Sequence, residues 1–392
     1  MRISGKQRMI EIRTISTKAE IGKFIDFRTD LYRDDPCACP YLFSDEMADL
    51  YQGSKNAQPY WEYCEAEYYM AYKDGKAVGR IAAIINHRAN EKWGHKNVRF
   101  GYFDFIDDYE VSEALINKVC EYGLSRGMDT IIGPMGFIDL GREGMLVEGF
   151  DIEQTMHANH NFPYYKDHME VMGFSKDNDW VQNLVKVPDK VPEKFEKIAN
   201  LINTRYGLHA RKMTKEEAIK GGMGRRIFEV LNKCYKDLYE FSEIDDALIE
   251  RMVKSYIAYA DLNLVTLICD SGKSDEIVGF GVTFPSFTKG LRHTNKGRIL
   301  PFGWWPLIKT LYTKWFHYTD TVDLLIIGVL PEYRAKGANA ILFNDLIRWY
   351  QKYRFKQALT LAMMETNDGV LSAWQYLEAK TVKRLRSYKK LL

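Results

Sequence analysis

The sequence predicts a mixed α/β chain made of two similar halves, each a mostly antiparallel sheet flanked by helices. Three observations predict it. At 392 residues the chain is too long for one average domain. A hairpin followed by strand, helix and strand is read near the N-terminus and again about two hundred residues later. The second strand of each hairpin also carries a similar pentapeptide, VGRIA at Val78–Ala82 and VGFGV at Val278–Val282.

In the first half, Met9–Ser16 alternates as a strand, and Lys18–Tyr32 has helical periodicity in Ile21, Phe24, Ile25 and Leu31. Glu67–Asn86 reads as two strands joined at Asp74-Gly75, a strong hairpin signal. A strand follows over Val98–Ile106, then a helix from Ser112 to about Arg126 and a short strand, DTIIGPM. The second half repeats the order, with a hairpin over Asn263–Phe284 and a strand over Asp323–Leu330. A helix carrying Ala338, Ile341, Leu342, Leu346 and Trp349 follows, then a strand over Gln357–Asn367 and a basic final strand, Lys380–Lys390. The linker is expected in KVPDKVPEKF, Lys186–Phe195, where two prolines interrupt the pattern, dividing the chain at 1–188 and 189–392.

Composition bounds the function. Hydrophobic content of 46% supports substantial cores and excludes a disordered chain. With 55 basic and 53 acidic residues the net charge is +2, which argues against nucleic acid as a main partner. Six cysteines are scattered, and Cys37-x-Cys39 lacks a second pair, so neither a zinc ribbon nor a disulfide framework is supported. His157 and His160 lack a third ligand at metal spacing, and no metal is expected. Reduced thiols, an N-terminus without an apolar signal region and no apolar run of membrane-spanning length give a cytoplasmic expectation.

The most informative stretch is GVLPEYRAKGANAILF, Gly328–Phe343. An apolar strand stops at Pro331, and the loop Arg334-Ala335-Lys336-Gly337-Ala338-Asn339 opens a helix. Backbone N–H groups at a helix start lack partners within the helix and carry partial positive charge, so the loop reads as an anion cradle with Gly337 allowing close approach. A dinucleotide fingerprint would need three glycines here and a P-loop would need GK[ST]; neither is present, and Gly272-Lys273-Ser274 sits in a hairpin turn without the upstream glycine.

From Val329 to Gly337 the chain resembles the pyrophosphate loop of the GNAT acyl-CoA N-acyltransferases, with its V-x-P strand end and R-x-x-G-x-G/A pattern. It departs at Asn339, where Gly or Ala is expected. The element order is that of the GNAT fold, present twice. The resemblance implies acyl-CoA (acetyl-CoA or a longer chain) as co-substrate, held by Gly328, Val329, Leu330, Arg334, Ala335, Lys336, Gly337, Ala338, Asn339 and Asn367. It implies direct transfer to an amine, with Glu365 as candidate base and Tyr376 as candidate acid for the thiolate. A solvated strand end competes for Glu365, and a core aromatic competes for Tyr376.

In the first half the corresponding position reads DDYEVSEAL, Asp107–Leu115, acidic where phosphates would bind, so that half is expected to have lost its CoA pocket. It keeps something like the family's second motif in Asn161, Tyr165, Gly173 and Phe174. With Glu143, in the glycine-rich loop Gly141-Arg142-Glu143-Gly144, Asn161 and Tyr165 are candidates for framing an acceptor; for Glu143 a surface turn is the competing reading. More narrowly, LYRDDP, GPMGFIDLGREGMLVEGFD, NFPYY, GRILPFG and GVLPEYRAKG make the chain resemble a group of tandem-GNAT bacterial proteins, the YghO-like group. It departs at Pro285-Ser286-Phe287-Thr288, where Asp and then Asn are expected. The resemblance implies N-acylation of a primary amine, in its sharpest form a long-chain sphingoid amine. The alternative is a catalytically silent binder of acyl-CoA or lipid.

Ile299–Phe316 crowds Trp304, Trp305 and further aromatics between lysines. It suits an acyl-chain wall, packing between the halves, or a peripheral contact with the inner membrane face. Acyl length, the carrier (CoA or acyl carrier protein), the acceptor and the oligomeric state stay open at this level.

Overall fold

The computed structural model describes residues 10–366 and 377–392, without the side chains of residues 258 and 259. Its contacts form two compact units. The first holds the chain up to Trp180 with Lys296–Arg298 and Arg384–Leu392; the second holds Val181–Asn295 and Ile299–Lys383.

The first unit begins with β1 (Glu11–Ile15), α1 (Lys18–Leu31) and α2 (Phe43–Leu50). A capping box starts α1, with Thr17 and Glu20 bonding each other's backbone amides. The hairpin β2 (Cys64–Lys73) and β3 (Lys76–Asn86) turns at Asp74-Gly75, both at positive φ as a tight two-residue turn requires. Then come α3 (His87–Trp93), β4 (Asn97–Phe105), α4 (Tyr109–Ser125), β5 (Thr130–Gly133), β6 (Met145–Glu148), α5 (Tyr164–Val171) and β7 (Ser175–Lys186). The strand order is β1-β2-β3-β4-β5, antiparallel except for the parallel pair β4/β5. One apolar cluster lies with α4 and includes Phe100, Phe105, Leu115 and Val119; a second lies with α1 and α2 and includes Phe24, Ile25, Leu50 and Ile84. Gly79 permits the approach of α4, since a Cβ there would stand 2.7 Å from Leu115 Cδ1.

The second unit begins with α6 (Glu193–Tyr206), β8 (Leu208–Arg211), α7 (Lys215–Ile219), α8 (Met223–Tyr235) and α9 (Asp246–Tyr259). The hairpin β9 (Val265–Asp270) and β10 (Glu276–Pro285) leads into three short helices, α10 (Thr288–Arg292), α11 (Trp304–Leu311) and α12 (Thr313–Phe316). The central strand β11 (Thr321–Val329) is followed by α13 (Pro331–Arg334), α14 (Asn339–Lys352), β12 (Gln357–Thr360), β13 (Met363–Met364) and β14 (Ala379–Leu391). The order is β12-β11-β10-β9-β8, and again one pair, β11/β12, is parallel. The Val181–Lys186 part of β7 continues the sheet beyond β12, while the Arg384–Leu391 part of β14 pairs with β5 in the first unit. Each unit is thus a mixed, mostly antiparallel sheet flanked by helices.

Of the boundaries that differ from the sequence reading, two have a visible cause. Helix α4 starts three residues early because Asp108 caps it, accepting from the amide of Glu110. The strand expected over Gln357–Asn367 stops at Thr360, whose carbonyl accepts from Gln182 Nε2 at 2.8 Å and whose hydroxyl accepts from the amide of Asn183 at 2.9 Å.

Candidate active site

The parallel pair β11/β12 runs only from Thr321↔Gln357 to Leu324↔Thr360. Past Leu324 no strand among the described residues pairs with β11 on that side, and the described sheet has a gap there. The amide of Leu330 donates to Val278 O at 2.9 Å, so antiparallel alternation turns the backbone of Ile327 and Val329 toward the gap. Gly328 and Leu330 face β10 instead. Of the three residues expected to offer backbone to pantetheine, only Val329 is turned that way. The two carbonyls at this edge have partners: Tyr235 Oη donates to Ile327 O at 3.1 Å and Arg334 Nε to Val329 O at 2.8 Å. Their amides have none among the described residues.

The loop beyond β11 is a tighter cradle than the sequence implies. The amides of Lys336 and Gly337 donate back to Tyr333 O and Arg334 O at 3.2 and 3.1 Å, and that of Ala335 also bonds Tyr333 O. Only the amides of Ala338 and Asn339, at the start of the 14-residue α14, lack a partner among the described residues. Gly337 is also required by its backbone. Its φ is +78°, while a Cβ there would meet Ile198 and Ile202 only at ordinary contact distance. Arg334 is exposed, but its guanidinium ties the strand end to the last turn of α8, with Nη2 donating to Cys234 O at 3.3 Å. Lys336 Nζ lies 4.2 Å from the Tyr333 ring centre and 5.1 Å from that of Tyr206. Lys273 Nζ, in the hairpin turn, lies 5.4 Å from the Tyr333 ring centre, so two lysines approach one ring beside the loop.

Sequence reasoning missed Asp323. It stands one residue before the last β11/β12 pair, 2% exposed, with Oδ1 lacking a partner among the described residues. Burial pushes its carboxyl up to about 7, against a smaller opposing pull from a hydrogen bond with Ser286. The signal was present as the one carboxylate in DLLIIGVL. Ser286 belongs to the tetrapeptide that departs from the YghO-like pattern. Glu365 is half-buried just beyond β13 and has interactions of its own. Asn367 and Tyr376 lie outside the described residues.

In the first unit the acceptor candidates are held differently. Asn161 is a bracket: its Oδ1 accepts from Leu146 N at 2.7 Å, and its Nδ2 donates to Leu146 O and Phe162 O. Tyr165 is 1% exposed, its hydroxyl bonded to Tyr32 Oη at 2.7 Å and to the amide of Phe105 at 2.9 Å. Both are engaged inside the fold. Glu143 is half-buried and has an interaction of its own, while its neighbour Arg142 pairs with buried Glu46 at 2.6 Å and stacks 3.5 Å over Tyr41. Asp49 and His157 belong to the same surroundings: desolvation raises Asp49 to about 6, and desolvation with the nearby Arg142 charge lowers His157 to about 4. Trp304 and Trp305 lie on the exposed side of α11. No cluster of metal-ligating side chains occurs among the described residues.

A sheet that parts at its single parallel pair, twice in one chain, with a turn and a helix after the central strand, defines a tandem GNAT-fold protein. Among solved structures a tandem GNAT protein from the clavulanic acid biosynthesis pathway superposes with a TM-score of 0.56 at 12% identity, covering 98% of each chain. No family model matches. The chain is 28% identical over 395 residues to protein YghO of Escherichia coli strain K12, covering 97% of this chain and 95% of that one. It is 23% identical over 398 residues to a bacterial ceramide synthase of Caulobacter vibrioides, covering 96% of each. The chain has a tandem GNAT fold and is similar to protein YghO over nearly its full length.

Proposed function

We propose that the chain is a CoA-dependent N-acyltransferase whose second unit holds the acyl-CoA and whose acceptor is a primary amine, long-chain in the sharpest version. One observation carries the reading. The opened edge of β11, with the amides of Ile327 and Val329 turned outward, leads directly to the unpartnered amides of Ala338 and Asn339 at a helix start. An extended amide chain ending in a pyrophosphate matches that sequence of donors, and Arg334, Lys336 and Lys273 supply positive charge beside it. The name of the Caulobacter relative supports the long-chain amine.

The chemistry needs positioning and one proton transfer. The amine nitrogen attacks the thioester carbonyl, the C–N bond forms, the C–S bond breaks, and the proton shed by nitrogen balances the charge on the thiolate. Asp323 is a candidate acceptor of that proton because its carboxyl titrates near neutrality beside the gap. Glu365 is the second candidate. Acyl-CoA or lipid binding without turnover is the other reading, favoured by the engagement of Arg334 and of the Lys336 and Gly337 amides within the loop itself.

The test is thermal unfolding with CoA, acetyl-CoA and palmitoyl-CoA, followed by thiol release with a long-chain amine present. A ligand at a hundredfold over its Kd raises stability by about 2.7 kcal/mol. Stabilisation with amine-dependent thiol release is expected. Stabilisation without release favours the binder, and no response to any of the three overturns the CoA assignment.

A further inference from the structure

Between Glu276 and Asp320 the sequence contains no carboxylate side chain, although acids and bases nearly balance over the whole chain. The same interval carries Lys289, Arg292, Lys296, Arg298, Lys309 and Lys314. Lys296 and Arg298 are paired in the first unit with Asp30 and Asp26, both at 2.7 Å. The rest of the interval belongs to the second unit. There Lys289, Lys309 and Lys314 have no carboxylate partner among the described residues.

The structure turns the apolar side chains of this interval outward. Helix α11 buries Pro306, Leu307 and Thr310 against α10, an approach so close that a Cβ on Gly290 would stand 2.6 Å from Thr310 Oγ1. What remains faces solvent: Phe302 is 80% exposed, Leu300 74% and Trp315 67%, with Trp304, Trp305 and Phe316 each exposed by more than two fifths. The lysines lie among the rings. Lys309 Nζ is 5.1 Å from the Trp305 ring centre and 5.7 Å from that of Tyr318, which Lys289 approaches at 4.7 Å.

We infer that this face seats the protein on an anionic lipid bilayer. Trp and Phe favour the boundary between headgroups and acyl chains, and lysine stems lie along apolar surface while the ammonium reaches phosphate. Protein interfaces are instead depleted of lysine at their centres, whereas here the ammonium groups are interleaved with the largest rings. The interval itself supplies no carboxylate to repel an anionic leaflet.

The test is co-sedimentation of the full chain with vesicles of phosphatidylcholine alone and of phosphatidylcholine mixed with phosphatidylglycerol, following tryptophan emission. Partition into the anionic vesicles with a blue shift is expected, and much weaker partition into the neutral ones. K309E/K314E should lower partition into anionic vesicles by about tenfold or more. F302S/W315S should lower it without moving the melting temperature, since both side chains are exposed. Failure to partition overturns the inference, as does partition indifferent to both double variants. Self-association that F302S/W315S dissolves, with vesicles ignored, overturns it in favour of a second copy on this face.

Discussion

The hydroxyl of Tyr165 accepts the amide of Phe105 at 2.9 Å, past the point where β4 parts from β5. Tyr164 Oη donates to the carbonyl of the same residue. Side chains of α5 thus fill, in the first unit, the strand edge where the second unit leaves two amides without a partner among the described residues. Asp108 completes the contrast. Its carboxylate caps α4 and pairs with Lys73 at 2.6 Å, placing negative charge where the second unit presents bare helix amides. The two copies of one fold therefore differ at this strand edge and at the helix start that follows it.

Tyr165→Phe removes the acceptor of the Phe105 amide and one partner of the Tyr32 hydroxyl, at a buried site. The expected cost is about 1–3 kcal/mol, read from urea unfolding. An unchanged midpoint would mean that the tyrosine is not needed to close that edge.

Asn339→Asp separates folding from binding. A carboxylate at the first residue of α14 should leave the helix unharmed or stabilise it by about 0.3–1 kcal/mol. The same charge opposes a pyrophosphate at the Ala338 and Asn339 amides, so CoA affinity should fall about fivefold or more. Calorimetric titration beside a melting curve reads both. A parallel loss of both would mean that the residue is structural.

Asp323 links stability to pH with a definite sign. Its folded pKa, about 7, lies above the ordinary carboxyl value, so its contribution is fully present below about pH 4 and is lost as pH rises through 7. Asp323→Asn should gain stability relative to the parent between those limits, by a few kcal/mol at pH 8 compared with pH 4. If Asp323 receives the proton from the amine, the same variant loses the rise of kcat through neutrality while CoA still binds. A shifted stability curve with an unchanged rate profile would leave Glu365 as the candidate.

Asp49 and His157 work in opposite directions around Arg142. Raised to about 6, Asp49 contributes stability that is lost as pH rises from about 4 to 6. His157, lowered to about 4, contributes stability that is lost as pH falls from about 6.5 to 4. The two slopes oppose each other in the parent. Asp49→Asn should therefore make stability rise more steeply with pH across this window, and His157→Gln should flatten or reverse it. Equal slopes in all three proteins would show that neither group is desolvated.

The fold was legible because periodicity and turn residues agree with it. Asp74-Gly75, the alternation over Glu67–Asn86 and the helical spacing from Ala338 each predict the element observed. The site was legible only in part. Pattern located the Arg334–Asn339 loop, but which amides stay unpartnered depends on turn bonds that sequence does not encode. Asp323 was hidden because a carboxylate at a strand start reads as solvated, whereas the fold buries it with Ser286 as a neighbour. The end of β12 was hidden for a similar reason: Gln182 and Asn183, far away in sequence, take the groups of Thr360 that would have continued it.

The last strand ties itself to the first unit through one buried carboxylate. Asp179 is 1% exposed and accepts two bonds from Arg386, at 2.8 and 2.9 Å, with Lys176 and Arg384 at 3.0 and 3.2 Å. These cations hold its pKa below the ordinary value despite burial. Removing the carboxylate leaves Arg386 with part of its guanidinium desolvated and two further cations without their shared partner. Asp179→Ala should cost about 3 kcal/mol or more. Because the contribution arises from a depressed pKa, it is present above about pH 4 and lost as pH falls further, so parent and variant should converge in acid. Denaturant curves at neutral and acid pH check both statements, and a gap that stays constant with pH would mean that the aspartate acts by packing and not by charge.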